Sequence, residues 1–224
     1  MSEISNAHLT TLVGAYSVET MEATVRVRRQ EAGGTHRYET YTVEVPVTAT
    51  VLDALDVIKD QHDGTLAYRK SCRMAVCGSC GMRVDGGAVL GCKTSMKPFV
   101  EAGHVITVAP MGNLPVIKDL VVDMEPFWRK VHAVKPYLDD HDEDAGEKEW
   151  RVRPEQQEAI HKESLCIMCG CCVSECNSME SDPDFLGPAA LVKAFRFVGD
   201  ARDGATVERL ERYSEAHGIW DCTR

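Results

Sequence analysis

No stretch of these 224 residues approaches the roughly eighteen consecutive apolar positions needed to cross a bilayer. By itself the chain is therefore expected to be soluble and to meet a membrane only through other chains. No Lys or Arg precedes Arg26, which argues against an Arg-rich transit peptide in the sequence as it stands, and no secretory signal opens it. Positive charge is also short: 25 Lys and Arg face 35 Asp and Glu, a formal net of −10. Phosphate binding runs on clustered cations, so no nucleic acid is expected as a partner. The eight histidines are scattered. Each is read as a lone surface or core histidine.

What the sequence does have is sulfur. Ten cysteines without a secretory signal, spaced as metal ligands are, point away from a disulfide framework and toward a reducing cytosol. Five fall within Cys166-Ile-Met-Cys169-Gly-Cys171-Cys172-Val-Ser-Glu-Cys176. With Cys171 left out, the spacing is C-x2-C-x2-C-x3-C. That is the run by which bacterial-type ferredoxins hold a cubane cluster, its fourth cysteine serving a different cluster. A zinc site or a disulfide knot is the alternative, although zinc usually takes two separated pairs. A second set, Cys72, Cys77, Cys80 and the more distant Cys92, has the C-x4-C-x2-C spacing of plant-type [2Fe-2S] proteins. Gly78 and Gly81 let that loop wrap closely and turn its amides toward the sulfurs. Residues 69 to 97 carry Arg69, Lys70, Arg73, Arg83, Lys93 and Lys97 against one acid, Asp85. Such cations ease reduction of an anionic cluster or dock a partner, unless they form no more than a solvated basic face.

Along the chain, residues 1–20 read as an extension, and Met21 is an alternative start. Alternating β-formers over 23–28 and 38–45, joined by Gly33-Gly34, predict a hairpin. Thr50 is placed to cap a helix running to about Asp60, whose Val51, Leu52, Leu55 and Ile58 share one stripe. A hairpin crossed by a helix is the opening of a β-grasp fold. A strand at His104–Val108 closes a domain spanning 21–110, and Pro110–Asn113 reads as its linker. In the second domain, 111–224, Val116, Ile117, Leu120, Val121 and Met124 recur at helical spacing, with Pro126 ending or kinking that helix. Residues 139–149 carry seven acids and one lysine and read as an exposed loop. Helices are predicted from Pro154 to about Lys162, from Pro188 to about Val198 and from about Ala205 to Ala216, the last capped near His217. The expected fold class is α+β: an N-terminal β-grasp [2Fe-2S] ferredoxin-like domain followed by an all-helical ferredoxin-like domain.

Ser71–Arg73, Val76–Gly81, Asn113–Met124 and Cys166–Cys172 together resemble the iron-sulfur subunit of succinate dehydrogenase and fumarate reductase. The similarity runs from about Glu22 to the end. It implies a [2Fe-2S], a [4Fe-4S] and a [3Fe-4S] cluster in series. Cys72, Cys77, Cys80 and Cys92 would hold the first, Cys166, Cys169 and Cys172 the second, and Cys176 and Cys222 the third. Cys171 matches a position that is not a ligand and is expected to be a small buried thiol. The resemblance further implies an electron-transfer subunit of a succinate:quinone oxidoreductase of the tricarboxylic acid cycle, with the substrate chemistry in a partner chain. The partners would be an FAD-containing flavoprotein subunit and membrane anchor subunits, with quinone at the interface. The expected place is the cytoplasmic face of the bacterial inner membrane, held peripherally through those subunits. The same subunit working in a quinol:fumarate reductase is the second reading, and a free-standing ferredoxin-like carrier is the third.

Two departures from the family stand out. Where relatives often have Pro after the cysteine at position 176 and an aromatic residue near quinone, this chain has Asn177-Ser178-Met179. The family's last motif, begun by Cys222, also carries further ligand cysteines beyond where Arg224 ends the sequence. The sequence is therefore read as truncated in its second domain, and these residues alone are expected to complete only the first cluster site.

Overall fold

The computed structural model describes residues 18–139 and 151–223. Most of the N-terminal extension and of the acidic loop read at 139–149 lies outside the described residues.

The hairpin forms where alternation predicts it. Strands β1 (Thr20–Arg29) and β2 (Arg37–Pro46) pair antiparallel along their whole length. Because side chains alternate across a strand, Val25, Val27, Val43 and Val45 all point inward and are buried. Thr50 closes a capping box with Asp53 at the start of helix α1 (Val51–Val57), which buries Leu52 and Leu55. The helix then widens into a π-helical turn over Ile58–His62, a local geometry that periodicity alone does not signal.

Four further elements complete this unit: β3 (Gly81–Val84), β4 (Gly87–Leu90), α2 (Lys97–Glu101) and β5 (Ile106–Ala109). The sheet order is β2-β1-β5-β3-β4, with β5 parallel to β1 and the other neighbours antiparallel. Helix α1 packs across this sheet, so the core combines its apolar stripe with Met82, Ile106 and Val108. This is the expected β-grasp, and β3 begins at Gly81, directly after Cys80.

The stretch read as a helix at 116–124 is instead a small hairpin. Its strands are β6 (Val116–Lys118) and β7 (Val121–Val122). Its turn is fixed from outside: Asp119 takes a left-handed backbone (φ 48°), and its carboxylate accepts from the Arg29 side chain and from the backbone N–H groups of Gln30 and Ala67. Those long-range bonds outweigh a local helical spacing. Pro126 does not end a helix. It sits in the first turn of α3 (Glu125–Ala133), where its missing N–H costs nothing.

Beyond α3 come α4 (Pro154–Ala159) and α5 (His161–Ser164), broken at Ile160 where one helix was expected. Two short helices follow, α6 (Cys171–Ser174) and α7 (Asn177–Ser181), then α8 (Pro188–Val198) and α9 (Thr206–Tyr213). Helix α9 stops earlier than expected, at a Ser214 cap, and His217 takes a left-handed conformation in the turn beyond. The second unit is thus mostly helical, with the β6–β7 hairpin as its exception. Its core joins Met111 and Leu114 to Phe127, Val131, Val173, Met179 and Phe185.

Candidate iron-sulfur sites

In the first cysteine set the loop between α1 and β3 is wound so that its amides converge on sulfur. Arg73 and Ala75 adopt left-handed backbones (φ 56° and 57°), as does Gly78 (φ 74°). This turns the N–H groups of Met74, Val76 and Cys77 toward Cys72 Sγ at 3.4, 3.4 and 3.3 Å, and that of Ala75 toward Cys92 Sγ at 3.3 Å. Ser79 N–H lies 3.5 Å from Cys77 Sγ. Two non-glycine residues in the left-handed region store strain, which a loop keeps only when its surroundings fix it. Cys80 and Cys92 are buried, brought in by β3 and by the loop after β4, while Cys77 is exposed. The hydrogen bond from Ser79 and that with Cys72 hold the Cys77 thiol down to about 6, and burial pushes Cys80 up to about 11. A nest of inward N–H donors around four sulfurs is suited to an anionic thiolate cluster, and the residues present fit a [2Fe-2S] group.

The second set sits on the turn before α6. Met168 and Gly170 take left-handed conformations, so that Cys166, Cys169 and Cys172 come from one tight loop and the first turn of the helix. The interaction between the Cys169 and Cys171 side chains holds the Cys169 thiol down and, together with burial, pushes the Cys171 thiol up. Cys171, expected to be a buried thiol, is half-buried. Three cysteines on one loop fit one face of a cubane cluster.

Cys176 lies at the start of α7, and Cys222 follows the 3-10 turn Ile219–Asp221. Ser178 ties the two segments together: its Oγ accepts from Thr223 N–H at 3.0 Å and lies 3.0 Å from Thr223 Oγ1. Asn113, which sequence reading placed in a linker, anchors the segment before β6 to the cysteine run. Its backbone is left-handed (φ 58°), and its amide donates to the carbonyls of Val173 (2.8 Å) and Cys176 (2.9 Å). Gly112 N–H adds a bond to Ser174 Oγ at 2.8 Å. The one advance signal for this role was an Asn following Gly between two apolar runs, which also describes any turn.

The basic segment around the first set is partly neutralised. Asp56 pairs with Lys70 at 2.7 Å and with Arg73, Arg83 lies 3.3 Å from Glu175, and Lys97 lies 3.7 Å from Glu101. Arg69 and Lys93 form no ion pair among the described residues. Met74 and Val76 stand 70% and 61% exposed on the cysteine loop, an unusual placement for apolar side chains.

A β-grasp loop lined with inward amides, followed by helices bearing a ferredoxin-type cysteine run, defines an iron-sulfur electron-transfer protein. Comparison with known proteins gives the particular family. Residues 24–129 match a family described as a 2Fe-2S iron-sulfur cluster binding domain, and residues 163–224 match a 4Fe-4S dicluster domain. The chain is 44% identical to the fumarate reductase iron-sulfur subunit of Mycobacterium tuberculosis, over 80% of this chain and 73% of that protein. It is 38% identical to the succinate dehydrogenase iron-sulfur subunit of Paracoccus denitrificans, over 86% and 73%. Among solved structures, a chain of the Mycobacterium smegmatis Sdh1 complex in the apo form superposes with a TM-score of 0.75 at 26% identity, covering 92% of each chain. The chain belongs to the family of iron-sulfur subunits of succinate dehydrogenase and fumarate reductase. No helix among the described residues is long and apolar enough to cross a membrane.

Proposed function

We propose that this subunit carries electrons from the flavin of a partner chain to quinone in a succinate:quinone oxidoreductase. Cys72, Cys77, Cys80 and Cys92 hold a [2Fe-2S] cluster, Cys166, Cys169 and Cys172 supply thiolates to a [4Fe-4S] cluster, and Cys176 and Cys222 supply thiolates to a [3Fe-4S] cluster. The observation that carries the reading is the convergence of four backbone N–H groups on Cys72 and Cys92, in a loop with the C-x4-C-x2-C spacing of plant-type [2Fe-2S] proteins. The clusters divide a two-electron substrate oxidation into single-electron steps. The chain's own part is to supply thiolates, aim N–H donors at them and set the spacing between sites. We place the boundary between its two units near Pro110, with 111–114 built into the second. The same relay run from quinol toward fumarate is the second reading, favoured by the 44% identity to a fumarate reductase subunit.

The face around the first site is assigned to an FAD-containing flavoprotein subunit, and the end bearing Cys176 and Cys222 to membrane anchor subunits and quinone, at the cytoplasmic face of a bacterial inner membrane. Exposed Met74 and Val76 beside Arg69 and Lys93 combine apolar and cationic surface, as the core and rim of a protein interface do. Crosslinking of the assembled complex through Lys70, Lys93 and Lys97 is expected to capture the flavoprotein. Capture of the membrane anchor by these lysines would reverse the polarity of the relay.

A further inference from the structure

The two cysteine loops touch through a glycine. A Cβ built on Gly78 would lie 2.9 Å from Cys169 Cα, 2.9 Å from the Ile167 carbonyl oxygen and 3.1 Å from Cys169 Cβ. Two of these three atoms are backbone, so a side chain at 78 must push the loops apart and cannot merely turn a neighbour aside. Gly78 follows Cys77, a ligand of the first site, and Cys169 is a ligand of the second. Gly81 repeats the pattern more mildly: its Cβ would lie 3.0 Å from the Cys169 carbonyl oxygen and 2.9 Å from Met111 Sδ, which can swing away. Beside this contact is a small cavity of about 150 Å3, walled by Met82, Met111, Met124, Met168 and Trp128.

We propose that Gly78 is a positioning residue that sets the separation of the first and second clusters, its missing side chain letting the Cys77–Cys80 turn rest directly on the backbone of Cys169. The inference rests on the relay reading above. In a relay, the step between adjacent centres depends on their separation, so contact between a ligand loop of each fixes that step at its shortest.

The test compares Gly78→Ala with Gly86→Ala in the intact complex. Gly86 also has a positive φ (88°), but nothing lies within 4 Å of its added Cβ, so it carries the backbone strain without the contact. In the reduced wild-type complex, the [2Fe-2S] electron paramagnetic resonance signal should relax faster than that of an isolated cluster because a second paramagnet is near. Gly78→Ala is expected to keep the iron content, to slow that relaxation toward the isolated value and to slow freeze-quenched electron transfer between the two centres. Gly86→Ala should leave both unchanged. Unchanged relaxation and transfer in Gly78→Ala would overturn the proposal. If Gly78→Ala loses the cluster outright, Gly81→Ala decides: a smaller loss of coupling supports the proposal, and none contradicts it. Absence of enhanced relaxation in the wild-type complex would instead overturn the relay reading itself.

Discussion

Replacing Cys169 by serine should remove or rebuild the [4Fe-4S] centre, whereas Cys171→Ser should leave every cluster signal in place. The two residues are two positions apart on the same loop, and sequence alone distinguishes them only by register. The structure gives them different chemistry. The interaction between the two side chains drives the thiols apart, Cys169 downward and Cys171 upward. A serine at 171 replaces a side chain that the C-x2-C-x2-C-x3-C spacing leaves out of the cluster. At 169 its hydroxyl is a harder and poorer ligand for iron than thiolate. Cys171→Ala should likewise keep the cluster. Electron paramagnetic resonance and iron analysis of the three variants check this. Equal loss of the cluster from both serine variants would mean that the run binds iron in a different register.

Asp119→Ala should cost about 3–5 kcal/mol, the usual penalty for breaking a buried charge pair by removing one partner. Arg29 and Asp119 side chains are 4% and 3% exposed, and Nε and Oδ1 are 3.0 Å apart. Burial alone would weaken the Arg29 charge, yet its hydrogen bonds to the Asp63 and Asp119 carboxylates more than offset it and hold the guanidinium above its ordinary range. Alanine at 119 also strands the N–H groups of Gln30 and Ala67, each bonded to the carboxylate at 3.0 Å. These donors are only part-buried and cost less than the about 1–3 kcal/mol of a fully buried one, and Glu39 and Asp63 still partner Arg29, so the effects do not simply add. The melting point of the cluster-loaded protein should drop by roughly 10 °C. Asp119→Asn, which keeps an acceptor for part of the network, should drop it less. A change within experimental error for Asp119→Ala would show that the β6–β7 hairpin is held to the β-grasp by apolar packing alone.

The same Asp119 explains where sequence reading stopped. The cysteine sets were legible because ligand spacing is dictated by the geometry of a metal group and leaves a fixed signature. The β1–β2 hairpin and the Thr50 cap were legible because their patterns are local. Val116, Ile117, Leu120, Val121 and Met124 also form a local pattern, and it pointed to a helix. What decides the stretch is a carboxylate reaching Gln30 and Ala67, residues far away in the chain. Strands β3 and β4 escaped notice because glycines flank four-residue segments too short to show alternation. The role of Asn113 was hidden for the same reason as that of Asp119, since its partners Val173 and Cys176 are about sixty residues away. Gly78 was legible as a loop residue, but its contact with Cys169 was not.

The relay reading places this chain, with its several redox centres, inside a larger enzyme. A redox titration, followed by electron paramagnetic resonance, of the complex captured from membranes through this subunit tests it most directly. The expected result is co-purification of a flavoprotein, a [3Fe-4S] signal in the oxidised sample, and [2Fe-2S] and [4Fe-4S] signals that appear on reduction at separate potentials. A single ferredoxin-type signal on a chain that brings down no flavoprotein would contradict the account and make the protein a free-standing carrier.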